Sequence, residues 1–392
     1  MVSAVLPALL LFGQAVPAAE PAEVGIGYLF SERGLEPLAL AEVPAENDGR
    51  AGAELAIEDN NTTGQFLNQH FTLEVAELAD GADLAAAVGE LARQGIAYVV
   101  ADLAADELLA VADAARGAGI TVFNIGAPDD RLREADCRAN VIHVAPTRSM
   151  LADGLAQYLV WKQWRRWLLV EGSHPEDKLL ADAYRRAATR FGAEIVEERQ
   201  IEDTGGARQT DSGVVQIQSR IPVLTQEAPD YDVLVAADES EVFAAHLPYR
   251  TWDARPVAGS AGLMPTSWSP AHGQWGALQM QSRFGKRFSR PMTERDMLAW
   301  TAVRLVGEAT SRTNSTEPAK IDAFLKGPEL GLGAYKGQKL TLRPWNLQVR
   351  QPILLTDGRV IVSVSPQQGF LHEVSELDTL GIDQPETACR LP

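Results

Sequence analysis

Cysteine, histidine and basic residues are all scarce in this 392-residue chain, and each shortage removes a class of function. Only Cys137 and Cys389 carry thiols, so no Cys-x-x-Cys redox or zinc motif can form. The six histidines, at positions 70, 143, 174, 246, 272 and 372, follow no metal-ligand spacing. Lys and Arg number 35 against 53 Asp and Glu, a formal charge of −18 that disfavours phosphate backbones and anionic lipid. Nucleic acid is therefore not an expected partner. Past the first residues no segment approaches the roughly 18 continuous apolar residues of a membrane span. The G-x-S-x-G elbow, H-E-x-x-H and the P-loop are missing too. Gly25-Ile26-Gly27 begins like a dinucleotide fingerprint, but the third glycine position holds Phe30, and the segment reads as a first strand.

What is present begins with a leader. Residues 1–18 hold an apolar core from Val5 to Phe12, with small Val16 and Ala18 at a signal-peptidase-like site, although no Lys or Arg opens it. The competing reading is a buried helix. Export into an oxidising space would lead Cys137 and Cys389 to pair and staple the C-terminus to the body, the alternative being two buried free thiols. After the leader, helix and strand signals alternate. Helix Leu84–Gln94 feeds strand Ala97–Ala101, then helix Ala105–Arg116 and strand Thr121–Ile125; a second wave runs from Tyr158 to Glu198, with a helix opening near Glu176 after Gly172, Ser173 and Pro175. Two such arrays predict an α/β protein of two lobes, each a mostly parallel, doubly wound sheet.

Several segments carry a family likeness: Ala51–Gln65, Val144–Glu171, Tyr231–Glu239, Tyr249–Leu263, Trp275–Phe284 and Ser365–Gly381. On them the chain resembles type I periplasmic solute-binding proteins of the branched-chain amino acid ABC transporter class, and within it a subfamily associated with catabolism dependent on pyrroloquinoline quinone (PQQ). The resemblance implies two lobes joined by three crossings, near Val144–Pro146, Leu263–Ser269 and Leu325–Lys336. Lobe one would take 24–144 and 265–325, lobe two 145–264 and 326–370, with 371–392 as a tail. It also implies a periplasmic monomer that hands a small-molecule ligand to an ABC permease and needs no cofactor.

Ligand contacts are expected from loops at the carboxyl ends of parallel strands. In lobe one these loops carry Asp102, Asn124 and Gly126, with Tyr28 and His143 as further candidates. In lobe two they carry Ser173, His174, Asp238, Glu239 and Ser260. In the resembled class an acid on lobe two holds an amino acid's ammonium, which would fall to Asp238 or Glu239; a helix-capping pair is the plainer reading of the same residues. A PQQ ligand, a flat quinone with three carboxylates, would instead need stacking faces and cations. Trp268, Trp275 and Arg283, then Arg148 and Lys178, are the candidates, although most of eight tryptophans should fill cores. Three functions follow in order: capture of PQQ or of a metabolite of PQQ-dependent alcohol oxidation, capture of a branched-chain amino acid or amide, and ligand-free docking on a periplasmic PQQ-dependent dehydrogenase. An enzyme would have to hide its reacting group among His143, His174 and Asp238, and is not expected.

Overall fold

The computed structural model describes residues 21–31, 43–79, 81–208 and 210–391. The leader and most of the segment between residues 32 and 44 lie outside them. Lobe one opens with β1 (Ala22–Ser31), α1 (Arg50–Leu67), β2 (Gln69–Leu78), α2 (Leu84–Arg93), β3 (Tyr98–Asp102), α3 (Ala105–Gly117), β4 (Thr121–Asn124) and β5 (Val141–His143). These strands form one parallel sheet in the order β2-β1-β3-β4-β5. Alternate strand residues face opposite layers, as a pleat requires. Tyr98, Val100, Phe123 and Ile142 face one core, and Val99, Ala101, Val122 and Val141 face the other.

The chain then crosses through residues 144–147 into lobe two. There α4 (Arg148–Trp161), β6 (Arg166–Gly172), α5 (Pro175–Phe191), β7 (Glu194–Ile201), α6 (Ile217–Thr225), β8 (Val233–Ala237), α7 (Leu247–Arg250) and β9 (Val257–Gly259) build a second parallel sheet, β7-β6-β8-β9. β10 (Met264–Thr266) leads back to lobe one. There α8 (Ala277–Phe288), α9 (Glu294–Thr313) and α10 (Pro318–Leu325) cover the first sheet. α9 opens on a capping box: Thr293 accepts from the Asp296 N–H, while the Asp296 carboxylate accepts from the Thr293 N–H. Among the described residues no helix is long and apolar enough to cross a membrane.

The lobe assignment of residues 326–350 needs correction. β11 (Leu332–Gly333), β12 (Lys339–Leu342) and β13 (Val349–Arg350) form a small antiparallel sheet whose Leu332, Leu340, Leu342 and Val349 lie in the lobe-one core. Gln348 bridges to His143 of β5, so this sheet extends lobe one. The third crossing falls at residues 351–352, not at 325–336. Beyond it β14 (Ile353–Thr356) and β15 (Ile361–Ser365) join β10 in a sheet packed on α4 of lobe two.

The C-terminal tail is built into both lobes. Leu377 and Leu380 lie in the lobe-two core, and the Gly381 N–H donates to Asp153 at 2.8 Å. Asp378 accepts from Arg343 (2.9 Å) and Arg350 (2.7 Å), both on the lobe-one side. Cys389 is disulfide-bonded to Cys137 of lobe one.

Candidate functional site

Between the lobes lies a cavity of about 450 Å³. Its lobe-one wall includes Ile125 and Gly126 after β4, Asp48 before α1, and Thr293, Glu294, Arg295 and Leu298 at the start of α9. Its lobe-two wall includes Arg148 and Leu151 of α4, Leu180 and Tyr184 of α5, Glu239 after β8, and Gly259 and Ser260 after β9. The strand-end loops of both sheets thus meet here, as parallel sheets dictate.

Charged groups in the cleft have internal partners. The Arg148 guanidinium donates through Nε to Glu239 Oε2 at 2.6 Å and through Nη2 to Glu239 Oε1 at 2.7 Å, and its Nη1 stands 3.3 Å from Asp129 of lobe one. Burial alone would lower its pKa, but Glu239 and Asp129 outweigh burial and raise it. On the opposite wall, Asp48 accepts from the Thr293 hydroxyl at 2.6 Å, and burial raises its carboxyl pKa. Arg295 stands 3.4 Å from Asp102 and 3.9 Å from Asp48. Glu294 accepts from the Ser267 N–H at 2.6 Å.

The sequence-predicted residues divide into three groups. Gly126, Arg148, Glu239 and Ser260 line the cavity. A second set shapes the loops from behind. Tyr28 is buried, its hydroxyl 3.4 Å from Asp102, and burial pushes the phenol well above its ordinary range. Asn124 accepts from the Gly126 and Ala127 N–H groups and lies 3.1 Å from His143, whose desolvation holds the imidazole neutral. Asp238 accepts from the backbone N–H groups of Val242, Phe243 and Ala244 at 2.6–2.9 Å. It is the capping acid of that turn, and burial raises its pKa against those donors.

The third group lies away from the cavity. Ser173 and His174 are engaged with Asp203, which raises the imidazole pKa, and Lys178 is exposed on α5. Trp268 is buried in the lobe-one core, Trp275 is half exposed against Gly337, and Arg283 points outward from α8 to Asp59. The proposed stacking trio is therefore not assembled in the cleft, because the chain after β10 runs back beneath lobe one rather than along the opening. Asp48, Tyr184, Thr293, Glu294 and Arg295 were missed. The capped start of α9, the second helix after the second crossing, was the available signal for three of them. Among the described residues no group of three His, Cys, Asp or Glu could hold a metal ion.

Two lobes, parallel sheets whose strand ends face one cleft, and a lining drawn from both define a receptor that encloses a small molecule. A family model described as periplasmic binding protein matches residues 25–245, more than half of the chain, and the protein belongs to that family. No curated protein matches it. Solved structures share the fold. A branched chain amino acid ABC transporter periplasmic ligand-binding protein from Burkholderia xenovorans superposes with a TM-score of 0.73 at 17% identity, over 93% of this chain and 99% of that one. The closed form of a leucine-, isoleucine-, valine-, threonine- and alanine-binding protein from Brucella ovis gives 0.69 at 14% identity, over 95% and 99%. A solute-binding protein of an ABC transporter from Rhodopseudomonas palustris, in complex with 3,4-dihydroxybenzoic acid, gives 0.62 at 12% identity, over 88% and 97%. Family and fold are those of binding proteins; the particular ligand is the next question.

Proposed function

We propose that the protein is the solute-binding component of an ABC transporter, exported behind its leader, which closes its two lobes on a small metabolite and presents it to a permease. The observation that carries this reading is the interlobe cavity of about 450 Å³, walled by both sheets' strand-end loops and by the starts of α4 and α9. Closure would bury a ligand against Ile125, Leu151, Leu180 and Leu298 while Ser260, Thr293 and the arginines offer hydrogen bonds. The structural neighbours that name branched-chain amino acids or hold an aromatic acid bracket the ligand size this reading calls for.

PQQ as the captured ligand has less support. Tyr184 is the one aromatic side chain among the described residues of the cavity wall, so a flat tricyclic quinone would find little to stack on. Docking on a dehydrogenase has the acidic surface in its favour and no feature of the fold that requires it. The test is a titration of ligand-stripped mature protein with PQQ, leucine, a short alcohol and 3,4-dihydroxybenzoic acid, read by tryptophan fluorescence and thermal shift. Saturable stabilisation by any one supports capture, since a ligand that binds only the folded state must stabilise it. A flat response to the whole panel and to a wider set of amino acids and organic acids would overturn it.

A further inference from the structure

The sequence marked Glu239 as an acid that could hold a ligand's ammonium; the structure gives that acid a resident partner. Both Glu239 oxygens are taken by the planar fork of Arg148, whose side chain is only 7% exposed. The same guanidinium reaches Asp129 across the cleft. Asp238 is spent on three backbone N–H groups, and Asp48 and Glu294 each accept an internal hydrogen bond. An ammonium brought into this cavity would have to compete with a bidentate, charge-assisted pair, and winning would strand a nearly buried guanidinium.

We infer that Arg148 is a specificity-determining residue: by sealing Glu239 it excludes ligands that carry an ammonium, and the cleft takes compact molecules with an apolar body and a hydrogen-bonding head without one. This rests on the receptor reading above. The apolar share of the wall, Ile125, Leu151, Leu180 and Leu298, supplies the surface for such a body. Ser260 from lobe two and Arg295 from lobe one line the same cavity to meet its head.

The experiment compares leucine with 4-methylpentanoate and 4-methylpentanamide, which keep the branched body and lack the ammonium, by calorimetric titration of the wild type and of three variants. In the wild type both ammonium-free probes should bind at least about tenfold tighter than leucine, the factor expected when a buried pair must be broken. Arg148→Met, which frees Glu239, should reverse the order; Arg148→Lys, which keeps the charge but loses the fork, should fall between. Adding Glu239→Gln to Arg148→Met should return leucine to weak binding, because the freed carboxylate is gone, while the ammonium-free probes still report a folded cleft, a pattern that a fold defect would not give. Leucine binding tightest to the wild type, or leucine binding as tightly to the Arg148→Met, Glu239→Gln double variant as to Arg148→Met alone, overturns the inference while the receptor reading stands. Binding of none of the three probes overturns it as well, and the wider ligand panel then judges the receptor reading separately.

Discussion

Lys336 sits where the first and third crossings meet, 2% exposed, its amine donating to Gln351 at 2.5 Å while Gln351 donates to the Val144 carbonyl of the first crossing. Burial pulls its pKa down to about 7, with Glu294 opposing. In the unfolded chain a lysine holds its proton to about 10.4, so between these values folding expels a proton. The stability tied to this group is complete above the unfolded pKa and is lost as pH falls toward 7, below which it changes no further. Lys336→Met should therefore be more stable than wild type at pH 7, by on the order of 3 kcal/mol, with the gap closing toward pH 10. Calorimetry across pH 7 to 10 checks this; a gap that does not vary with pH would mean the lysine is not held neutral. Nothing in the sequence around Lys336 announces its burial, because the burial comes from segments far apart in the chain. Glu239 is the converse case: its strand-end position was legible, its partner was not, since Arg148 lies 91 residues away.

Among elements, legibility followed the strength of the repeat. α9 was readable because Thr293 caps it and Leu298, Ala302, Leu305 and Ala309 recur on one face, and all four are buried. β11 and β13, two residues each, are too short to show any alternation, which is why residues 326–350 were assigned to the wrong lobe. The packing of α9 on α1 was also unreadable, since it depends on two glycines. A Cβ on Gly52 would overlap the Asp296 backbone, and one on Gly307 would overlap the Asn60 side chain. Backbone cannot yield as a side chain can, so Gly52→Ala should cost several kcal/mol, and Gly307→Ala less, roughly 1–3 kcal/mol, through displacement of Asn60 from the Val303 carbonyl. Urea unfolding of the two variants orders them; equal losses would show that the helices can slide apart.

For the whole molecule, the alternation of helices and strands foretold two lobes, and two cysteines in an exported chain foretold a bond. Neither said what the tail does. Its first part belongs to lobe two through Leu377, Leu380 and the Gly381–Asp153 hydrogen bond, and its last part to lobe one through Cys137–Cys389 and the Ala388 N–H donated to Glu134 at 2.6 Å. Within the first part Asp378, 1% exposed, binds Arg343 and Arg350 of the lobe-one side, so the lobes are tied a fourth time at the hinge. A tie across a hinge limits how far the lobes swing, and it does so in the ligand-free state most of all. Replacing both cysteines by serine should lower stability by about 2–5 kcal/mol, since the bond spans 252 residues. It should also raise the radius of gyration of the ligand-free protein in solution scattering, with little change once ligand holds the lobes together. Asp378→Ala should cost more than Asp378→Asn, about 3–5 kcal/mol, because it leaves the buried Arg343 without a countercharge and its Nε without an acceptor, with only the Leu377 and Leu380 carbonyls still accepting from Nη2. If the double serine variant loses stability yet scatters as wild type does, the tail is a staple that holds the C-terminus and the three crossings alone govern the swing.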